Sequence, residues 1–419
     1  MQRLSNLFHA YPRQFWLVFF GLFISQMGTS MVWPFLLIYI SQKLDMSLTA
    51  LSFLLTANSF SGIAATFLIG PLLDRMGRKW ILILSLAGFG LVYLLYTVTA
   101  TYIQFLVVLS LAGIFSPIYR VASDTMLADM IPAKQRSEAY SLLRLITNVG
   151  VAIGPAVGGL IASVSYSLCF VIASASLLFY SLIMLFFSHE TMVQKKEPIP
   201  ENKLLQMPGG YLQVFRDIPF MTISLAYTLV TIPATLVWIL MPVFVKTHFG
   251  IPESAYGFIP TTNAVLIVIF QMAVTRRARS FSPILVMAVG SLFYGVSTFF
   301  VAWGSIFIHF WLVMVIMTIG ELILFSTSSP FVASLAEPAL RGRYMAVFSL
   351  AMPIAYGVAP VIGGLLNDNL GPQAIWYGGT AIGLLAMLVF LILYLNMRNS
   401  KRGFLPVDVN GLNDAFADE

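Results

Sequence analysis

Twelve uninterrupted apolar runs, each long enough to cross a hydrocarbon layer as a helix, leave few folds open to this sequence. They fall at residues 14–40, 48–72, 80–100, 103–127, 137–163 and 166–188, then 218–245, 254–275, 283–303, 307–333, 342–366 and 373–396. A bilayer core asks for roughly 20 apolar residues per helix. Each run meets that length, and several have enough to tilt. The alternating segments of about ten residues that build a membrane β-barrel are absent from the sequence. Charged residues make up 10% of the chain and apolar residues 59%, against about 25% charged in an average soluble chain. There is too little charge to cover a water-facing surface. The expected fold class is an all-α membrane protein with twelve transmembrane helices.

The basic residues test this topology. With the N-terminus inside, nineteen of the 23 Lys and Arg fall on cytoplasmic segments. Outer loops carry only Lys43 and Lys246, while Arg120 and Arg144 lie within spans. Such segregation follows the positive-inside rule and places both termini in the cytoplasm. The net charge of +6 therefore belongs to loops beside a membrane and gives no reason to expect a nucleic-acid partner. Met1 to Arg13 is short, mildly basic and amphipathic, without a cleavable signal, so the first span is expected to be retained. The single cysteine, Cys169, excludes a disulfide framework and a cysteine-based metal site. Neither a nucleotide-binding loop, a catalytic triad nor a metal-ligand cluster is present in the sequence. The expectation is no enzyme, no catalytic residue, no metal and no cofactor, and ATP-driven transport would need a partner chain.

The chain also repeats itself at an offset of 205, with Arg136 matching Arg341, Pro155 matching Pro360, Gly158–Gly159 matching Gly363–Gly364, and Leu160 matching Leu365. Two related six-helix units are how many transporters build a site at their interface and rock about it. The expected organisation is a first half at 1–188, a cytoplasmic linker at 189–217, a second half at 218–396 and a cytoplasmic tail at 397–419. The linker carries Lys195, Lys196, Glu197 and Gly209–Gly210, a composition suited to a hinge between halves.

After the second span the sequence reads Gly70-Pro-Leu-Leu-Asp74-Arg75-Met-Gly77-Arg78-Lys79. Glycine at 77 suits a tight turn and at 70 a close helix approach. This stretch resembles the G-x-L-a-D-r-x-G-r-k signature of the major facilitator superfamily at each characteristic position. The resemblance implies that Asp74 meets the positive N-terminal end of the eleventh helix and holds the outward-facing state closed on the inside. It also implies that Arg78 pairs with an acid at the end of the fourth helix, which Asp129 fits. In the fifth span, Gly150-x-x-x-Gly154-Pro155-x-x-Gly158-Gly159 resembles the motif of the superfamily's antiporters, drug exporters above all. Spaced by four, Gly150, Gly154 and Gly158 line one helix face and admit a close neighbour, so a plain packing seam is the rival reading. The sequence departs from the family pattern in three places. Leu109 stands where many proton-coupled members carry an arginine, the loop Thr275-Arg276-Arg277-Ala-Arg279-Ser280 lacks the acid and glycines of the first copy, and the first span has no acidic residue.

Four ionisable residues fall within spans: Arg120, Asp124, Arg144 and Glu321. A charge at mid-span costs at least ~2.5–3.5 kcal/mol on insertion scales. Their repeat equivalents are Phe325, Ser329, Ser349 and Ser116, so the shared scaffold does not require them. Glu321 is near the middle of the tenth span, where Gly320-Glu321, Pro330 and Arg341-Gly-Arg343-Tyr344-Met345 resemble a drug-exporter-like branch with an acid at this point. Withdrawal from water favours a carboxyl's protonated form, so a lone acid here suits proton exchange or attraction of a cationic substrate. A hydrogen bond to Thr318 or Ser326 is the structural alternative. Arg120 and Asp124 lie four apart on one face, and counting from the loop near Ala133 puts Asp124 and Arg144 at equal depth, which predicts an Asp124–Arg144 pair. Glu321 and Asp124 are thus the candidate proton-coupling residues, and Arg120 and Arg144 a charge network able to bind an anion. Gln26, Asn58, Asn148, Tyr227, Asn263 and Tyr356 are candidate cavity-lining residues.

The expectation is a secondary transporter in a cell membrane, of the bacterial inner-membrane type, exchanging protons for hydrophobic or amphipathic compounds by alternating access. Its partners would be a small-molecule substrate, protons and membrane lipid, and the family resemblance implies a monomer. Rival readings are a transporter or flippase of an anionic solute or lipid that uses Arg120 and Arg144, and a membrane sensor or scaffold that moves nothing.

Overall fold

The computed structural model describes residues 10–191, 211–337 and 340–399. Most of the expected linker (192–210) and tail (400–419) lies outside the described residues, as does the side chain of Asp74. Twelve helices are long and apolar enough to cross a membrane. The first half holds α1 (Arg13–Leu44), α2 (Leu48–Met76), α3 (Arg78–Val98), α4 (Tyr102–Met130), α5 (Ala133–Ala162) and α6 (Tyr166–Phe187). The second holds α7 (Ile218–Phe249), α8 (Glu253–Ala278), α9 (Pro283–Trp303), α10 (Phe307–Leu335), α11 (Arg341–Leu370) and α12 (Ala374–Asn399). No strand occurs among the described residues.

Several helices outrun the apolar stretches that announce them, because hydropathy marks the hydrocarbon layer whereas a helix ends only where its last carbonyls are capped. Left-handed or extended glycines supply such ends after α2, α7 and α11, at Gly77 (φ 84°), Gly250 (φ 64°) and Gly371 (φ 95°). The repeat is visible in the helix bounds. α1 and α7 begin at Arg13 and Ile218, α3 and α9 at Arg78 and Pro283, α4 and α10 at Tyr102 and Phe307, each pair 205 apart. Even the left-handed caps after α1 and α7, Asp45 (φ 44°) and Gly250, keep that spacing.

Each half packs alike. α1 lies against α5 and α6, and α2 against α4; correspondingly α7 lies against α11 and α12, and α8 against α10. Between halves, α2 meets α11 and α5 meets α8. We call the side where α1 begins and α2 ends the basic face, after the cations on its loops. The described cross-half bonds gather toward the opposite face. There the Thr49 N–H donates to Asp368 Oδ2 at 2.9 Å and Thr56 Oγ1 to the Gly357 carbonyl at 2.6 Å. A side chain on Gly364 would collide with the Thr49 backbone, and one on Gly159 with the Glu253 carbonyl. The Tyr166 hydroxyl donates to Glu253, which also pairs with Lys246 at 2.9 Å. Toward the basic face no hydrogen bond joins the halves among the described residues, and a Cβ on Gly70 or Gly342 would meet nothing within 4 Å. The close helix approach expected at Gly70 is not made in this conformation. The molecule is closed at the opposite face and open toward the basic one.

Candidate functional site

A cavity of about 230 Å³ lies where the halves begin to part. One face of α7 supplies Tyr227, Val230, Thr231, Ala234, Thr235 and Trp238, whose spacing of three and four keeps them in line. Tyr294 of α9, Glu321, Leu324 and Phe325 of α10, and Met352 and Tyr356 of α11 complete the second-half wall, while Trp33 comes from α1. Trp33 and Trp238 are 205 apart and thus repeat equivalents, one from each half. Tyr227 and Tyr356 are among the expected cavity-lining residues and the two tryptophans are not, although their shared register is a signal in the sequence.

Glu321 is the one carboxyl group in this lining, which holds no Lys, Arg or His. The Asn263 side-chain amide donates to Glu321 Oε2 at 2.7 Å and lies 2.9 Å from Thr318 Oγ1, whose hydroxyl donates to the Met314 carbonyl at 2.7 Å. Asn263 is therefore not a cavity wall but a buried residue that holds the carboxylate. Thr318 and Ser326, the hydroxyls of the structural alternative, donate instead to the Met314 and Ile323 carbonyls. Asn58, the repeat equivalent of Asn263, donates to the Leu109 carbonyl at 2.8 Å and ties α2 to α4 just as Asn263 ties α8 to α10. The scaffold position is shared. What differs is Gly113 in place of Thr318 and Ser116 in place of Glu321. No cation approaches Glu321 within salt-bridge distance among the described residues. Its charge is met only by neutral dipoles, which leaves a proton or a ligand cation as the remaining compensation.

Arg120, Asp124 and Arg144 are all exposed on α4 and α5. The expected Asp124–Arg144 pair does not form among the described residues. Counting along the hairpin gives depth but not direction, and α4 and α5 hardly pack on each other; α5 lies instead against α1 and α8. Asp124 is in electrostatic reach of Arg120, and Arg120 of the Tyr356 hydroxyl in the other half. Pro155 of α5 brings its carbonyl against Gly257 of α8.

At the basic face, Arg78 Nε lies 3.0 Å from Asp129 Oδ2, the pair expected from the motif. Arg75 is exposed on the last turn of α2. Gly77 gives α3 no capping side chain, and Glu190 fills that role by accepting the Arg78 and Lys79 N–H groups at 3.0 and 3.1 Å. Nothing in the sequence near Gly77 points to Glu190, which is more than a hundred residues away. In α5, side chains on Gly150, Gly154 or Gly158 would strike α1 at Gln26–Met27, Ser30 or Met31, whereas Gly159 faces α8. Gln26 and Asn148 are half-buried and line no part of the cavity.

The family model of the Major Facilitator Superfamily matches residues 18–231 and again 223–411. The chain belongs to the Major Facilitator Superfamily. Among curated relatives in that superfamily, a Na(+), Li(+), K(+)/H(+) antiporter of Planococcus maritimus is 26% identical over 383 residues, covering 84% of this chain and 88% of that protein. Multidrug resistance protein 1 of Bacillus subtilis is 23% identical over 357 residues, covering 83% and 88%. Among solved structures, the nucleoside transporter NupG superposes with a TM-score of 0.75 at 12% identity, covering 91% of this chain and 99% of that one. The fold expected from the sequence, twelve helices in two six-helix repeats, is thus that of a membrane transporter of this superfamily.

Proposed function

We propose that this superfamily member is a proton-coupled exporter of hydrophobic or amphipathic compounds, cationic ones included, with the basic face in the cytoplasm. One observation carries the reading: Glu321, a carboxylate with no counter-cation among the described residues, in an aromatic cavity at the junction of the halves. A lipophilic cation gains from the ring faces of Trp33 and Trp238 and from the carboxylate, and a proton competes for the same charge. Occupancy by one displaces the other, so exchange across the membrane follows if each is released on a different side. Asn263 fixes the carboxylate's position, and the Tyr166–Glu253–Lys246 and Asp368–Thr49 contacts hold the far side shut while ligand enters. The Arg78–Asp129 pair and the Gly70–Lys79 loop steady the basic face, and Asp124 serves as a second proton site. The names of the two relatives, an antiporter and a multidrug resistance protein, agree with this reading.

The test is ethidium accumulation in inside-out vesicles energised by a proton gradient. Uptake that collapses with an uncoupler and is absent in Glu321→Gln supports the proposal. Uptake that survives Glu321→Gln refutes the assignment of the coupling site.

A further inference from the structure

The loop between α8 and α9 is the second-half counterpart of Gly70–Lys79, and its charge balance is reversed. In the first copy, Arg78 pairs with Asp129, and Glu190 accepts the Arg78 and Lys79 N–H groups. At the offset of 205, Asp74, Asp129 and Glu190 are replaced by Arg279, Ser334 and Leu395. Arg276, Arg277 and Arg279 are all exposed, and no carboxylate pairs with any of them among the described residues. The carbonyl end of α8 offsets only about half a unit charge of the three. The positive-inside rule accounts for cations on this face, but not for the loss of all three acids.

Two of these arginines are seated on apolar side chains. Arg277 Cζ lies 5.1 Å from the centroid of the Phe281 ring, and Arg276 Nη2 lies 3.5 Å from Met272 Sδ. Both apolar partners are themselves exposed, Met272 at 67% and Phe281 at 46%. Along α8, Val265, Val268, Ile269 and Met272 are exposed and precede Arg276 and Arg279 at spacings of three and four. One helical stripe therefore runs from apolar to cationic as it reaches the basic face.

We propose that this stripe holds an anionic phospholipid, its phosphate on the three guanidiniums and an acyl chain along Val265, Val268, Ile269 and Met272. Guanidinium forks match phosphate oxygens, and a basic cluster beside a span is where anionic headgroups gather. A soluble phosphate would use the arginines alone and leave the exposed apolar stripe without a partner. The lipid supplies to the second half the negative charge that Asp129 and Glu190 supply to the first. The proposal is independent of what the central cavity carries.

Native mass spectrometry of the full-length protein in detergent, titrated with palmitoyl-oleoyl phosphatidylglycerol or the corresponding phosphatidylcholine, tests it. The first phosphatidylglycerol should bind about tenfold tighter than phosphatidylcholine. Arg276→Gln, Arg277→Gln and Arg279→Gln combined should erase that preference. Phosphatidylcholine binding and the thermal midpoint without added lipid should stay as they were, since the three side chains are exposed. Arg75→Gln, on the first-half loop, should leave the preference intact. Met272→Ser should weaken phosphatidylglycerol several-fold, an effect that a bare anion site would not show. Equal affinities for the two lipids, or a preference that survives the triple variant, would overturn the proposal. Displacement of the lipid by millimolar glycerol 1-phosphate would mark a site for soluble anions and overturn it too. A preference that emerges only after Asp414→Asn, Asp418→Asn and Glu419→Gln would give the arginines to the chain's own acids, with the same consequence.

Discussion

Removing one hydroxyl should unlatch the closed face. The Tyr166 hydroxyl of α6 donates to Glu253 of α8 across the two halves, and Glu253 is only 4% exposed, so water does not substitute while the face is shut. Tyr166→Phe keeps the ring and deletes the donor. Lys246 still pairs with Glu253 from within the second half at 2.9 Å, so no buried charge is stranded and the fold should survive. A hydrogen bond to a charged group contributes about 1.5–3 kcal/mol. Lost from only one of two states, it shifts their ratio roughly 10- to 150-fold toward the state open at this face. Asp368→Asn removes the charge from the second latch at Thr49, on a different helix pair, and its effect should add to the first. Spin labels at Ala100→Cys and Ser305→Cys are exposed at this face, one on each half, and the native Cys169 is buried. Double electron–electron resonance should reveal a longer-distance population in Tyr166→Phe, larger still in the double variant. Distance distributions matching the unsubstituted protein in both would refute the latch.

Three further outcomes follow from the packing. Gly158→Val places a side chain into the Met31 backbone and should lower stability by about 1–3 kcal/mol or more, read as a drop in the thermal midpoint; Gly70→Ala, facing open space, should leave that midpoint unchanged. Asn58→Ala and Asn263→Ala each cut an equivalent tie between helices and should destabilise by about 1 kcal/mol, yet only Asn263→Ala should alter ethidium-driven proton flux. The Arg78–Asp129 pair is partly exposed, at 15% and 25%, so Arg78→Ala should lose no more than about 1 kcal/mol of stability in denaturant titration, with its larger effect on transport rate.

Much of this was legible because membrane burial writes itself into composition. The span count and the repeat needed only hydropathy and a fixed offset, and Arg78–Asp129 needed only the motif. Glu321 stood out because an acid in a span has no bland explanation in its repeat partner Ser116. Direction around a helix was harder to read. Equal depth suggested that Asp124 and Arg144 pair, but α5 turns its faces to α1 and α8. Asn263 holds Glu321 rather than lining the cavity; a polar residue in a span signals function without saying which neighbour it serves. Trp33 and Trp238 were passed over because aromatic residues are common in membrane spans, and their register mattered only once both were found at one cavity. Glu190 caps α3 from a distant segment, a contact no local pattern encodes.

The measurement that bears most directly on the central claim uses purified protein in liposomes loaded with a pH-sensitive dye. With a proton gradient imposed, ethidium should trigger a proton flux in the unsubstituted protein, reduced in Glu321→Asp and abolished in Glu321→Gln. A flux of the same size in Glu321→Gln, or no ethidium-dependent flux at all, would contradict the account.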